Sequence, residues 1–571
     1  MRHLPVSFQR PPRRSSVRST VRLVAIVCLA GIVFSAGCPN RSTSQQQQQQ
    51  LRTRAQAAHI ESRRYFDIAI NDLHRLHEFN GGEMIGRIAD QLNQWLKDQE
   101  PDPKWHPDPL VEQLPDEFRQ LSVVQNLGEF TFNQSDANHL LVSYWFSRIA
   151  DWAGGDTLDD LSRARALFDW TIRNIQLENQ QSVPVLPSGV PLVPSLTEVL
   201  LLGRGSPLDR AMVFTELCRQ EHLDAGIIAV QPNTPDGVGT WQVAFVGVLI
   251  EGKIHLFDPL LGVPVPNKRG FYLNNYGLLM AETATLEEAA SDSAIVRQLD
   301  IGDTWQRLPD PSVLERVAVF IPAPPLALAQ RMRRIEEELT GRDRFALYID
   351  ASAVAERFAA HPRVATVGLW SYPFEMVTQR VQYPNEIAQY TQARLQMLQL
   401  VLGDVAPLWR GRQLYFQGKL VGEDGAASFF QRARLSERQM SAMRLRPEEY
   451  AMFQHMKVTA AYWLGQIAME QGNFDSAVEI FQNHILAQQQ GIEWLSGVIF
   501  HLGRIAQLQR NYAQAVDWYQ RDTFLPSRYG SLLRASKLVE LASPPPQESP
   551  EEPTAEPDTQ IDEGAGEGNA S

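Results

Sequence analysis

Between residues 56 and 98 the apolar residues recur at the spacing of a helix with one buried face. The recurring positions are Ile60, Phe66, Ile70, Leu73, Leu76 and Leu92, and Gly81-Gly82 interrupts them. The same period returns at 161–175 and again after Ser206, on either side of a proline-rich loop. The pattern predicts a helical N-terminal region over 59–139, followed by two further helices.

Beyond the third helix the pattern changes to short runs of β-branched and aliphatic residues. Such runs occupy 226–230, 241–250 and 253–257, with Glu251-Gly252 as a two-residue turn between the last two. They predict antiparallel strands. Residues 316–370 then read strand, helix, strand and strand, at 316–321, 326–341, 344–350 and 363–370. This stretch is either a small α/β unit or an extension of the preceding domain.

Near the carboxyl end, four features recur at a constant offset of 38 residues. Leu464-Gly465, Gly472-Asn473-Phe474, Ala477 and Phe481 return as Leu502-Gly503, Arg510-Asn511-Tyr512, Ala515 and Tyr519. The spacing of small and large residues resembles the tetratricopeptide repeat, whose usual period of about 34 residues would here be lengthened by about one helical turn. The resemblance implies an all-α helical-repeat domain over 431–541; a generic antiparallel helical bundle is the alternative.

Composition narrows the class of protein. The chain has 571 residues, of which 44% are apolar, so it is too long for one compact core and too apolar for general disorder. The net charge of -13 argues against a nucleic-acid partner, because phosphate binding needs a clustered basic surface. With only three cysteines, a disulfide-stapled fold is excluded.

The amino terminus has the features of an export signal. Six arginines and no acid precede or flank twelve apolar residues at 23–34, which as a helix would rise about 18 Å and fall short of a bilayer core of about 30 Å. Ser35-Ala36-Gly37-Cys38 resembles the bacterial lipobox, which implies cleavage before Cys38, lipidation of its sulfur and anchoring to a membrane of the cell envelope. An ordinary signal peptide or an uncleaved anchor is the alternative.

Two polar segments flank the globular part. A lipoprotein signal peptide over 1–37 would be followed by a disordered tether over 38–58, which contains six consecutive glutamines. Residues 542–571 are rich in proline, carry eight acids and no base, and predict a disordered tail.

A family resemblance lies in the middle of the chain. The segment 203–230 resembles the core of the transglutaminase-like fold, with Gly203, Gly205, Asp209, Ala211, Phe214, Leu217, Arg219 and Ala225 on matching positions. The segment LFDP at 256–259 is similar to the Asp-Pro that follows a later strand of that fold. The resemblance implies an α+β protein: a helix-plus-antiparallel-sheet domain over 140–275, an α/β extension over 276–430, and then the helical repeats.

Enzymes of this family use a cysteine at the start of the core helix, a histidine on the next strand and an aspartate on the strand after that. Here the cysteine position is Pro207, the histidine position near Trp241 holds no histidine, and only the acid is present, as Asp258. The neighbouring Ser206 is predicted to cap the helix, with Pro207 first and Asp209 third in it. Cys218 is predicted to be a buried, unreactive thiol. The sequence predicts no catalytic centre, cofactor or metal site.

Two functions remain open. The first is a non-catalytic envelope lipoprotein, a pseudoenzyme whose helical repeats bind a protein or peptide partner. The second is an active peptidase or acyltransferase that uses Ser206, or an unrecognised group, together with Asp258. The missing histidine weighs against the second.

Overall fold

In a computed structural model of the chain, the described residues are 60–78, 83–154, 159–234, 237–487 and 492–542. The predicted signal peptide, the tether with Cys38, and the predicted tail apart from its first residue lie outside these ranges. Across the described part, no helix is both long and apolar enough to cross a membrane.

Helices dominate both ends of the described chain. The helices before the main sheet are α1 (60–74), α2 (Glu83–Leu96), α3 (Asp116–Arg119), α4 (Ser122–Gln125), α5 (Gln134–Ala153), α6 (Asp160–Asn174), α7 (Leu196–Leu202) and α8 (Pro207–Gln220). Those that follow it or are interleaved with it are α9 (Leu286–Ser291), α10 (Ser293–Arg297), α11 (Gln330–Glu338), α12 (Ala351–Ala359), α13 (Tyr372–Gln382), α14 (Pro384–Leu395), α15 (Pro407–Phe416) and α16 (Ala426–Ala433). The last are α17 (Glu437–Ala442), α18 (Pro447–Glu470), α19 (Phe474–Phe481), α20 (Leu495–Leu508), α21 (Tyr512–Gln520) and α22 (Ser527–Ala542).

The N-terminal helical pattern is confirmed with one exception. Phe66, Ile70, Leu73 and Leu92 are buried, whereas Ile60, the first described residue of α1, is 71% exposed.

The strands are β1 (Gln176–Leu177), β2 (Arg204–Gly205), β3 (Asp224–Val230), β4 (Asn233–Thr234), β5 (Gly237–Val238), β6 (Gln242–Ile250), β7 (Lys253–Asp258), β8 (Val263–Pro264), β9 (Pro266–Leu273), β10 (Leu279–Thr283), β11 (Val317–Ile321) and β12 (Val364–Leu369). Six of them form one sheet in the order β12-β11-β3-β6-β7-β8. Its pairs are antiparallel except β11 with β12. The expected mixture of helix and sheet, α+β, is therefore present.

The predicted hairpin between β6 and β7 is confirmed. Glu251 and Gly252 both have positive φ, 50° and 75°, as a tight two-residue turn between twisted strands requires. The strand predicted over 344–350 is wrong. Its backbone amides are bonded elsewhere: Glu336 Oε2 accepts from the amides of Leu347 (2.6 Å) and Tyr348 (2.7 Å), so no ladder forms.

The stretch after residue 276 extends the preceding sheet and is not a separate unit. β11 pairs directly with β3, and β12 then pairs with β11. The predicted boundary at 275 falls in the hairpin between β9 and β10, which pair with each other. Contrary to the expectation from chain length, one continuous apolar core runs from Phe66 in α1 to Leu538 in α22. The N-terminal helices, sheet and C-terminal helices are therefore packed as one body.

The 38-residue offset corresponds to two helical hairpins that pack alike. In the first, Gly465 of α18 faces the ring of Phe481 in α19; in the second, Gly503 of α20 faces the ring of Tyr519 in α21. A Cβ at either glycine would enter that ring. The residues that open the two interhelical turns, Gly472 and Arg510, both have positive φ.

Candidate functional site

The start of α8 is the position where the family resemblance expects the nucleophile. Ser206 precedes the helix, and its Oγ accepts a hydrogen bond from the Asp209 amide (3.2 Å). In return Asp209 Oδ2 accepts from the Ser206 amide (2.7 Å) and from the Ser206 hydroxyl (2.8 Å). This reciprocal capping box, with Pro207 in the first helical position, confirms the capping role predicted for Ser206.

Tyr372, at the start of α13, completes this cluster. Its hydroxyl donates to Asp209 Oδ1 (2.7 Å) and lies 3.5 Å from Ser206 Oγ. Burial raises the pKa of Asp209 above its usual value, although its hydrogen bonds oppose that shift. Both oxygens of the carboxylate are therefore occupied by capping and packing bonds. The Ser206 hydroxyl is bonded to a carboxylate and not to an imidazole.

The position expected for a histidine holds none. Trp241 is almost fully buried directly before β6. Two histidines lie nearby in sequence: His255 on β7, whose pKa is lowered mainly by burial, and His222, just beyond the far end of α8. Since α8 has 14 residues, His222 is separated from Ser206 by roughly 20 Å of helix.

The acid at the position that the family resemblance expects, Asp258, is fully buried at the end of β7. Its Oδ1 accepts from the backbone amides of Leu260 (2.9 Å) and Leu261 (3.0 Å). Its Oδ2 accepts from Nε of Arg307 (2.5 Å), a guanidinium that also donates to the carbonyl of Ala244. The two oxygens of Asp258 thus accept hydrogen bonds from three donors. In a catalytic triad, one oxygen of the aspartate would instead accept from the histidine that it orients.

Arg307 was not predicted from the sequence. It lies 49 residues beyond Asp258, is 6% exposed, and stacks over the ring of Phe245 at 5.0 Å. The sequence indicates this arginine only indirectly. A buried acid that lacks the histidine expected beside it requires a different partner.

The turn that follows Asp258 is also held by two other arginines. Arg210 of α8 donates to the carbonyl of Pro259 (3.3 Å), and Arg534 of α22 donates to the carbonyls of Leu261 (2.9 Å) and Gly262 (2.6 Å). We call residues 258–262 the arginine-held turn. Burial lowers the pKa of both Arg210 and Arg534, to about 9 for Arg210. The turn is a junction between the core helix, the segment after α10 and the C-terminal helices.

Cys218 lies on α8 with no exposed surface and has no disulfide partner. Burial raises the pKa of its thiol well above the ordinary value, so the thiolate is strongly disfavoured. Among the residues that the structure describes, no three His, Cys, Asp or Glu side chains are grouped so as to hold a metal ion. Two surface cavities, of about 280 and 260 Å³, are lined by the N-terminal helices, α11 and adjoining loops, and neither includes Ser206 or Asp258.

The first helix of each C-terminal hairpin packs against the sheet-bearing part of the chain. Gln466 of α18 donates to the carbonyl of Arg173 (2.9 Å), and Glu470 pairs with the Arg173 guanidinium. Arg504 of α20 pairs with Asp169 of α6 (2.8 Å). With Arg534 of α22 on the arginine-held turn, all three helices have their inner face covered by the rest of the molecule.

The outer helices are left open. Asp475 and Glu479 on α19 and Gln514 and Asp517 on α21 are exposed. On α19 this surface is acidic, whereas on α21 Asp517 pairs with the exposed Arg521 (2.6 Å), so that part is polar without being acidic.

Comparison of the chain with protein-family models, with curated proteins and with solved structures finds no match in any of the three.

Proposed function

We propose that the chain is a catalytically degenerate transglutaminase-like protein that serves as a scaffold for a protein or peptide partner in the bacterial envelope. The main support for the proposal comes from Asp258. Both oxygens of this buried acid accept hydrogen bonds, from Arg307 and from two backbone amides, so it cannot orient a catalytic histidine. The succession of α8, β3, β6 and β7, with the acid closing β7, supports the assignment to this superfamily.

In this proposal residues 140–275 are the degenerate domain, 276–430 its α/β extension and 431–541 a tetratricopeptide-like region. Export and lipidation at Cys38 hold the protein at a membrane. The inner face of the repeats is already occupied by α6 and the arginine-held turn. The outer face, built from α19 and α21, is therefore the surface that we assign to the partner, and the exposed Asp475 and Glu479 on α19 favour a basic segment.

The competing function, a peptidase or acyltransferase, requires Ser206 to act as a nucleophile. One observation favours this function: the half-buried Ser206 hydroxyl donates a hydrogen bond to the Asp209 carboxylate. That same carboxylate closes the capping box, so proton transfer to it would break the bonds that hold the start of α8.

A fluorophosphonate probe applied to the full chain separates these functions. We expect no labelling that depends on Ser206, with the Ser206→Ala variant as the matched control. Labelling of the wild type that disappears in this variant would overturn the scaffold proposal.

Partner binding is tested in cells that produce the full chain with a photo-cross-linking residue at Gln514 or, as a control exposed position far along the chain, at Glu117. We expect one discrete adduct from position 514 and none from 117. Equal adducts from both positions would contradict a partner site on the outer helices.

The anchor has its own test. Cys38→Ser removes the proposed acylation site and should release the protein from membranes or leave its signal uncleaved. An unchanged mass and detergent partition of the mature protein would exclude lipidation.

A further inference from the structure

A cluster of arginines stands out on the surface of this acidic chain. Between residues 432 and 446, from the end of α16 through α17 to the start of α18, there are five arginines and one acid, Glu437. The whole chain by contrast has a net charge of -13. We call Arg432, Arg434, Arg438, Arg444 and Arg446 the arginine surface.

Most of these guanidinium groups are not used inside the protein. Arg438 and Arg444 are exposed, and within the described residues neither forms an ion pair or a side-chain hydrogen bond. Arg434 is half-buried with an Nε that has no partner there, and Arg432 stacks on the ring of Phe429 (4.9 Å). Arg446 is the exception, because it pairs with Glu449 (2.8 Å).

The single acid of the segment does not offset this charge. Glu437 accepts hydrogen bonds from Tyr450 (2.6 Å), Gln454 (3.0 Å) and Lys457 (3.1 Å), all on α18. Its carboxylate is thus neutralised by a lysine outside the segment. Beyond the segment Glu449 pairs with Arg446 and Glu448 is exposed, so the exposed positive charge that has no ion pair among the described residues includes that of Arg438 and Arg444.

Apolar side chains are interleaved with the arginines. Met443 is 45% exposed and Leu445 is half-buried, while Met440 fixes α17 to the core from the opposite side. Alternation of guanidinium groups with partly exposed apolar side chains matches the boundary between phosphate headgroups and acyl chains. A nucleic acid would need a broader basic footprint than the acidic chain provides.

We propose that the arginine surface docks on the anionic phospholipids of the membrane that carries the anchor. This inference rests on the proposed membrane anchoring. The 21 residues between Cys38 and the first described residue span at most about 75 Å. The described helix α1 is roughly 22 Å long, and the turn that follows it packs on α15, the hairpin partner of α16. The lipid can therefore reach the same bilayer that the arginines contact.

The test is arginine footprinting of the full, lipid-bearing chain with phenylglyoxal, on vesicles of phosphatidylcholine alone and on vesicles that also contain phosphatidylglycerol. On the anionic vesicles we expect Arg438 and Arg444 to react about fivefold more slowly, the factor that corresponds to roughly 1 kcal/mol per arginine near an anionic surface. Salt at about 0.5 M should restore the rates, because it screens the attraction. The exposed Arg269 and Arg528 should react equally on both vesicles.

Matched variants sharpen the result. Arg438→Gln with Arg444→Gln should also remove the protection of Arg432, whereas Arg269→Gln with Arg528→Gln, which changes the net charge equally, should leave it intact. Equal rates on the two kinds of vesicle would overturn the proposal. Protection of Arg438 and Arg444 in the absence of vesicles, if it is lost when residues 543–571 are deleted, would also overturn the proposal. The acidic tail, and not a lipid surface, would then cover these arginines.

Flotation with the neutral vesicles reports the anchor separately. A chain that floats with them but shows no protection on anionic lipid retains the anchor and refutes only the docking. A chain that floats with anionic vesicles alone refutes the anchor and retains the docking.

Discussion

Replacing Arg307 by methionine tests the assignment of Asp258 to structure. Methionine keeps much of the apolar length of the side chain but supplies no donor, so Asp258 Oδ2 loses its 2.5 Å partner inside a site with no exposed surface. Removing one member of a buried ion pair costs about 3–5 kcal/mol, because the remaining charge is uncompensated. The carbonyl of Ala244 loses a donor as well. We expect a loss at the upper part of that range.

Hydrogen exchange measures this effect where it arises, at the backbone amides that donate to Asp258. Hydrogen exchange at the amides of Leu260 and Leu261, both bonded to Asp258, should accelerate by at least about a hundredfold. Arg307→Lys keeps the charge but not the planar guanidinium group. Its exchange rates at these two amides should lie between those of the wild type and those of Arg307→Met. A change below about tenfold in Arg307→Met would refute the claim that this arginine holds the acid.

Three further outcomes are expected. Ser206→Ala should lower stability by about 1 kcal/mol while Ser206→Asn preserves it, as thermal unfolding will show; equal loss in both would exclude the capping role. Gly465→Ala and Gly503→Ala should each cost about 1–3 kcal/mol, because the new Cβ enters the facing ring, and a neutral result in urea unfolding would contradict the hairpin packing. His501 is buried, and burial lowers its pKa to about 3, so its contribution to stability is full above about pH 6.5 and is lost as the pH falls towards 3. Between pH 7 and 5 the free energy of unfolding should fall by about 2 kcal/mol at most. His501→Gln should flatten this pH dependence. An unchanged dependence in the variant would contradict the lowered pKa of His501.

The features that sequence reasoning predicts correctly are those that a few neighbouring residues determine. The capping box at Ser206 needs only the serine, Pro207 and an acid three places on. The turn at Glu251-Gly252 is set by two residues between two apolar runs. The repeat is visible because the same small and aromatic residues return at one offset, and each small residue makes room for its ring.

The features that it misses depend on contacts between distant residues. Arg534 reaches the turn at Gly262 across 272 positions, and nothing near either residue marks the pair. The strand wrongly predicted at 344–350 has a more local cause, a carboxylate 11 residues earlier in the chain. Its apolar pattern is strand-like, but the Glu336 carboxylate takes the amides that a neighbouring strand would have bonded. The inner face of the C-terminal helical hairpins is likewise covered by helix α6 from a distant part of the chain.

The arginine-held turn gives Asp258 a structural role that does not depend on catalysis. In a cysteine-nucleophile triad the aspartate needs one oxygen for the histidine, whereas both oxygens of Asp258 accept hydrogen bonds from Arg307 and two backbone amides. Loss of the acid would leave the buried Arg307 guanidinium without its ion-pair partner, which is costly in the protein interior. Asp258 is therefore held in place by Arg307 and by the two backbone amides that donate hydrogen bonds to it. Because Arg534 brings α22 to the same turn, the acid also couples the sheet to the C-terminal helices.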